Sequence, residues 1–147
     1  MSIVLHGVAA GKGIAIGHAH LITRGTTEVP QYDIDPDKLD AEAARFDNAI
    51  KATRKELEQL RGAIPENAPT ELGAFISLHL MLLTDVTLSR EPIDILREQK
   101  INAEWALKQQ SDKLAAQFDS IDDDYLRERK QDMLQVVRRI HNNLVGQ

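Results

Sequence analysis

Five histidines (His6, His18, His20, His79 and His141) and no cysteine bound the side-chain chemistry open to this chain of 147 residues. Thiolate nucleophiles, disulfides and thiolate-bound metals are excluded. His18 and His20 stand two apart in an alternating segment, which would put both imidazoles on one strand face, where they could bind a metal. No further ligand lies close in sequence, Asp33 and Asp35 being distant, so two ordinary strand histidines are the simpler reading. AAGKG, residues 9–13, is only loosely like a phosphate-binding loop. It lacks the GxxxxGK spacing, and a strand-like segment rather than a helix follows it, so it reads as a turn. Asp122, Asp123 and Asp124 could gather a cation, but at a helix start three acids are better explained by capping and the helix dipole. The stretch left over is HLMLLTD, residues 79–85, with a histidine in front of an apolar run. It admits three readings: core, docking surface, or catalytic histidine.

The elements that must position these residues change character near residue 33. Residues 1–32 hold five of the eight glycines and only three charged residues, Lys12, Arg24 and Glu28. SIVL, residues 2–5, and GIAIGHAHLIT, residues 13–23, read as two short strands around a glycine turn. Two strands alone make no stable sheet. From Asp33 onward the pattern is helical. A first helix is expected over about 35–61, with Asp35 as N-cap and Pro36 at the first position. Leu39, Ala43, Phe46, Ile50, Thr53, Leu57 and Leu60 repeat in it at alternating spacings of four and three, as in the seam of an antiparallel helix pair. PENAP, residues 65–69, connects to a second helix from Thr70, whose hydroxyl is the expected cap, to about Asp85. A short continuation covers roughly 87–99. Asn102 is the expected cap of a helix over about 103–119, with Trp105, Leu114 and Phe118 inward. The last helix runs from about 123 to 145, with Met133, Val136, Ile140 and Leu144 on one stripe, and ends at Gly146. Short connections make successive helices neighbours, so the fold class is mainly α, an antiparallel bundle of two helical hairpins.

In the second helix the expected inward stripe is Leu72, Phe75, Ile76, Leu82, Leu83 and Val86. Leu78, Met81, Asp85 and Leu88 trail onto a neighbouring strip, with His79 at the border. That is more large apolar side chains than one buried stripe holds, so some should face outward, as on a docking surface. A helix buried on all sides would account for them equally well. Composition narrows the function classes. Charged residues are 28%, hydrophobic ones 42%, and the net charge of −5 gives no basic footprint for nucleic acid. No run of 18 apolar residues suits a membrane span and no signal-peptide pattern opens the chain, so the cytoplasm is the expected location.

Three stretches are similar to a known family. GKGIAIGHAHLI resembles the opening pattern of Enzyme I of the bacterial sugar phosphotransferase system. HLMLLTDVTL resembles that family's His-x-Met-Leu-Leu-x-Asp-x-x-Leu, and DDDYLRERKQDMLQVVRRIHNNLVG resembles its Asp-Asp-x-Tyr-Leu-x-Glu-Arg-x-x-Asp with the helix that follows. The resemblance implies a phosphoenolpyruvate–protein phosphotransferase that serves sugar uptake. It implies that residues 33–147 form the helical subdomain that docks the phosphocarrier protein HPr. Residues 1–32 would be the first strands of a truncated α/β phosphohistidine subdomain. Carried over by motif, the contact residues for HPr are Glu71, Ala74, His79, Met81, Leu82, Asp85, Leu88, Phe118, Leu126 and Arg129. An apolar centre with an acidic rim suits a basic partner face.

Two departures qualify the match. Gly11, Lys12 and Gly13 replace the family's Ser-Pro-Gly, and the family's Gly-Gly, Ser-His phosphohistidine motif is not among these residues. The chain is therefore expected to be an N-terminal piece of a longer enzyme. It would hold no catalytic residue, no metal and no cofactor of its own. Mg2+ and a homodimer through a C-terminal domain are implied only for the full-length parent. A start directly at the opening motif favours the sugar branch over the nitrogen-linked one. A role for His79 in phosphotransfer across the interface stays open. So does the alternative of a non-enzymatic helical hairpin that self-assembles through its 39–60 seam.

Overall fold

The computed structural model describes residues 2–9, 11–18 and 28–146. Its backbone is built on α1, Leu39–Gly62, whose 4-3 apolar repeat is buried along most of its length. Ala43, Phe46, Ile50, Thr53 and Leu57 are all inside, while Leu60 stands 44% exposed where the helix outruns its neighbours. Thr53 fits the seam because its hydroxyl is satisfied: it donates to the Ala49 carbonyl at 2.8 Å and accepts from Asn143 at 3.0 Å. Asp35 and Pro36 open a short 3-10 turn, Pro36–Lys38, that leads into α1.

Chain reversal at 63–69 brings α2, Thr70–Thr84, back along α1. Thr70 is the first helical residue but its hydroxyl caps nothing; Pro69 precedes it without a side-chain cap. The continuation breaks in two, α3, Val86–Ser89, and α4, Glu91–Gln99. Asp85 causes the break, since its carboxylate accepts from the Thr87 amide at 2.9 Å and so starts a new helix. Lys100 then closes α4 in the left-handed conformation, at φ 54°. The second hairpin is α5, Ala103–Asp119, and α6, Asp124–Val145. Asp123 caps α6 by accepting from the amides of Tyr125 and Leu126, and Gly146 closes it at φ 78°. The α6 stripe of Met133, Val136, Ile140 and Leu144 is buried as its periodicity predicts, and α6 packs on both α1 and α5.

Three expectations need correcting. In α2 the inward stripe is Ile76, His79 and Leu83, while Leu72, Phe75 and Val86 are exposed by 44%, 42% and 60%. Positions 76, 79 and 83 share one face at spacings of three and four, so a histidine takes the middle core position. In α5 the buried residues are Ala103, Glu104, Ala106, Leu107, Gln110 and Ser111, with Trp105, Leu114 and Phe118 only half-buried. α5 is packed against both α4 and α6, and small side chains permit that approach. Lastly, residues 2–5 and 13–18 adopt no strand; the rest of the second expected strand, 19–23, lies outside the described residues. A strand exists only beside a paired neighbour, and among the described residues the only β-pairing is a single antiparallel bridge between Asp33 and Ile101. Ile3, Val4, Leu5, Val8, Ile14 and Ile16 are all at least 78% exposed.

That bridge belongs to a strap, residues 30–34, tied across the start of α5 by Asn102. The Asn102 amide donates to the Tyr32 carbonyl at 3.1 Å, and its side-chain oxygen accepts from the Tyr32 amide at 3.0 Å. Its side-chain nitrogen donates to the Pro30 carbonyl and to Glu104, both at 2.9 Å. Asn102 stands at the expected cap position of α5, but its side chain binds the strap and makes no cap bond. Glu104 is held in turn by Arg45 at 2.7 Å, and Arg45 also bonds Glu42 and the Leu144 carbonyl. One buried polar cluster therefore clamps the starts of α1 and α5, the end of α6 and the strap.

Candidate functional site

At the other end of α5 the two hairpins leave a gap. α2 contributes Leu82, the α2–α3 junction Asp85, and α3 Thr87 and Leu88. The facing wall is Leu114, Gln117 and Phe118 of α5, Ile121 of the turn, and Leu126 and Met133 of α6. Together they line a predominantly apolar groove of 380 Å³. The groove lies where α2 ends at Thr84 and gives way to α3, opposite the turn that joins α5 to α6. Leu114 and Phe118 are spaced four apart on α5, which puts them on one face, and Ile121 follows from the turn.

Of the residues singled out from the sequence, Leu82, Asp85, Leu88, Phe118 and Leu126 come together in this groove. Leu88 is 1% exposed and so lies in its floor rather than on its surface. Met81 stands beside the groove as a ridge, 63% exposed, and Glu71 and Ala74 are exposed further up α2. Outward-facing apolar residues on α2 match the surplus seen in its composition. Gln117, Ile121 and Thr87 line the groove without having been singled out, and Leu114 and Met133, expected only as inward residues, line it too. The i, i+4 pair Leu114 and Phe118 on α5 is the signal that could have found one of its walls.

His79 is the exception among them. At 1% exposure it sits inside, between α2 and α6, and cannot touch a partner in this state. Its ring packs against Phe75, with centroids 4.2 Å apart and the planes tilted by 45°. Nε2 lies 3.6 Å from Asp132 Oδ1, longer than a hydrogen bond, and neither ring nitrogen has a hydrogen-bond partner. Burial pushes its pKa below the ordinary imidazole value. The Asp132 carboxylate acts against that without overcoming it, and Arg139 and Arg129 push it further down. A sealed, neutral imidazole does not meet a phosphoryl group, so the geometry also speaks against a catalytic His79. Arg129 is half-buried, 3.4 Å from the other oxygen of Asp132, with its guanidinium 5.0 Å above the Tyr125 ring.

The acids near the groove are already engaged. Asp85 accepts from Thr87, Asp119 pairs with Lys130 at 2.8 Å, and Asp122 and Asp124 both pair with Arg127. Among the described residues no three His, Cys, Asp or Glu side chains are grouped to hold a metal ion. The Mg2+ that the resemblance implies for the full-length parent finds no cradle in them. The α1 seam proposed for self-assembly is occupied within the chain by α2 and α6. No single helix among the described residues is long and apolar enough to cross a membrane.

Comparison with known proteins places this arrangement. A family described as PEP-utilising enzyme, N-terminal, matches residues 6–129. The phosphoenolpyruvate-protein phosphotransferase of Cupriavidus necator is 47% identical over 146 residues, covering 99% of this chain and 25% of that protein. The protein of the same name from Bacillus subtilis is 34% identical over 146 residues, covering 97% of this chain and 25% of that protein. The chain thus spans about a quarter of the length of the curated relatives it matches. Among solved structures, an NMR solution structure of Enzyme I superposes with a TM-score of 0.75 at 27% identity, over 84% of this chain and 50% of that one. An N-terminal domain of Enzyme 1 - Nitrogen gives 0.72 at 28% identity, over 81% and 49%.

Proposed function

The chain belongs to the family of PEP-utilising enzyme N-terminal domains, and from that premise we propose that its helical bundle docks the phosphocarrier HPr on behalf of a phosphoenolpyruvate–protein phosphotransferase. The observation that carries the reading is the apolar groove between the ends of the hairpins, flanked by Met81. Leu82, Phe118 and Leu126 supply apolar walls that lose contact with water when a partner side chain enters, at about 25 cal/mol per Å² of apolar surface buried. Asp85 at the rim and the chain's net charge of −5 suit a partner with a basic face. A brief, reversible encounter of this kind needs only about 1,200–1,600 Å² of total buried surface.

In the full enzyme the phosphoryl group would pass from phosphoenolpyruvate to an Enzyme I histidine outside these residues and from there to HPr, in the cytoplasm, for sugar uptake. His6 and His18 are exposed on segments without regular structure, and His79 is sealed in the core. No step of the proposal runs through a metal. One of the two solved neighbours is of the nitrogen-linked type, so the fold alone does not favour the sugar branch. The test is to mix the isotopically labelled chain with HPr and follow its amide signals. Saturable shifts clustered at residues 81–88, 114–121 and 126–133 are expected. Unmoved signals at millimolar HPr would remove the docking role.

A further inference from the structure

Asp132 lies between a titratable imidazole and a permanently charged guanidinium. Its Oδ1 lies 3.6 Å from Nε2 of His79, and its Oδ2 lies 3.4 Å from Nη1 of Arg129. Asp132 is 9% exposed and His79 1%. Both nitrogens of the imidazole lack a partner, and so does Nε of Arg129. The charged groups acting on the imidazole are Asp132, Arg139 and Arg129, all on α6, and Arg139 carries Glu56 of α1 at 3.9 Å. From its own helix the ring meets Phe75. An unsatisfied imidazole is a poor core residue, because its desolvated nitrogens cost more than an aliphatic side chain of similar size. Packing alone does not call for a histidine there. The group lies directly behind the groove. His79 is one turn from Leu82, Asp132 adjoins Met133, and Arg129 is one turn from Leu126.

We propose that His79, acting through Asp132, is a positioning residue for the docking groove: beside a neutral imidazole Asp132 holds Arg129, and beside a protonated one Asp132 turns to His79 and leaves Arg129 near the groove's edge with only the exposed Glu128, 4.0 Å away, beside it. The proposal rests on the docking reading of the groove and adds a regulation to it. The formal charge of Asp132 and Arg129 with a neutral imidazole is zero; a proton taken from solvent makes it +1. A basic partner then meets one more positive charge. At about 8 Å and near-solvent screening, that charge weakens binding about two- to fivefold. Because burial opposes protonation, the change falls below pH 6.5.

The experiment measures HPr affinity from about pH 8 down to about pH 4.5, across the imidazole range, for the unaltered chain and for His79→Gln. The side-chain nitrogen signals of Arg129 and His79 are followed in parallel. Any titration of HPr itself is common to both chains, so the difference between the two profiles isolates His79. The expected result is a two- to fivefold acid loss of affinity in the unaltered chain, absent in His79→Gln. The Arg129 Nε signal should move at the His79 midpoint in the unaltered chain and stay still in the variant. Should His79→Gln unfold, Asp132→Asn carries the test: its His79 still titrates, and Arg129 should no longer follow. An Arg129 signal that ignores the His79 titration, or a His79→Gln profile identical to the parent's, overturns the proposal. Absence of HPr binding at neutral pH defeats the docking reading instead, and the Arg129 signal still decides the latch.

Discussion

Replacing Asn102 with alanine should cost this bundle more than any other single polar change. The side chain makes three hydrogen bonds, to the Tyr32 amide, the Pro30 carbonyl and the Glu104 carboxylate. A neutral hydrogen bond contributes about 0.5–1.5 kcal/mol net, and one to a charged group about 1.5–3. The Pro30 carbonyl lies on an exposed strap residue and regains water, so little is lost there. The Tyr32 amide and the buried Glu104 carry the cost, which comes to about 2–4 kcal/mol. For a domain of this size that lowers Tm by about 6–12 °C. Thermal unfolding followed by far-ultraviolet circular dichroism reads it directly. Released from Asn102, the strap at 30–34 should also become a new site of limited proteolysis that the parent lacks. The groove is about 24 Å away along α5, from 1.5 Å of rise per residue between Asn102 and Phe118. HPr affinity should therefore stay unchanged while stability falls. A loss under about 1 kcal/mol would refute the view that this cluster clamps the bundle.

Acid should destabilise the fold in two steps. Burial and the arginines of α6 lower the folded pKa of His79, so its contribution is whole above pH 6.5 and erodes as pH falls below that. For Glu104, burial alone would raise the pKa, but hydrogen bonds from Arg45, Asn102 and its own backbone amide hold it below 4.5. Its contribution is present above 4.5 and is lost as pH falls through the lower folded value. Denaturant midpoints measured against pH should show both steps, with His79→Gln lacking the first. Asp123→Ala removes the cap of α6 and should cost about 1 kcal/mol in urea unfolding. Lys100→Gly relieves a left-handed residue at the end of α4 and should raise stability by up to about 1 kcal/mol, seen as a higher midpoint with unchanged m-value.

Helix order and ends were readable because α1 and α6 alternate apolar and polar residues at helical spacing, and because Asp123 and Gly146 are strong end signals. α2 hid its inner face for the opposite reason. Nearly every side from Leu72 to Leu83 is apolar, so period alone could not place His79 in the core. α5 misled through size: its interior is alanine, glutamine and serine, and its large residues sit at the border or line the groove. Gln110 could not be recognised as buried before its partners, the Thr87 carbonyl and Glu91, were in place. The alternating pattern of residues 13–18 was real but names only a strand's faces; pairing needs a neighbour, which no local pattern supplies. The groove depended on where α2 stops relative to α5 and α6, a tertiary fact, although five of its residues were already in view through a family motif.

The central claim is that the groove between the hairpin ends receives HPr. The most direct measurement is the dissociation constant for HPr of the unaltered chain, Leu82→Asp and Leu126→Asp, each checked for an unchanged circular dichroism spectrum. A carboxylate forced into a desolvated apolar contact should cost at least about 1–2 kcal/mol, so each variant should bind about tenfold more weakly or worse. Binding by both variants as tight as the parent's, with the fold intact, would show that the groove is not the docking site.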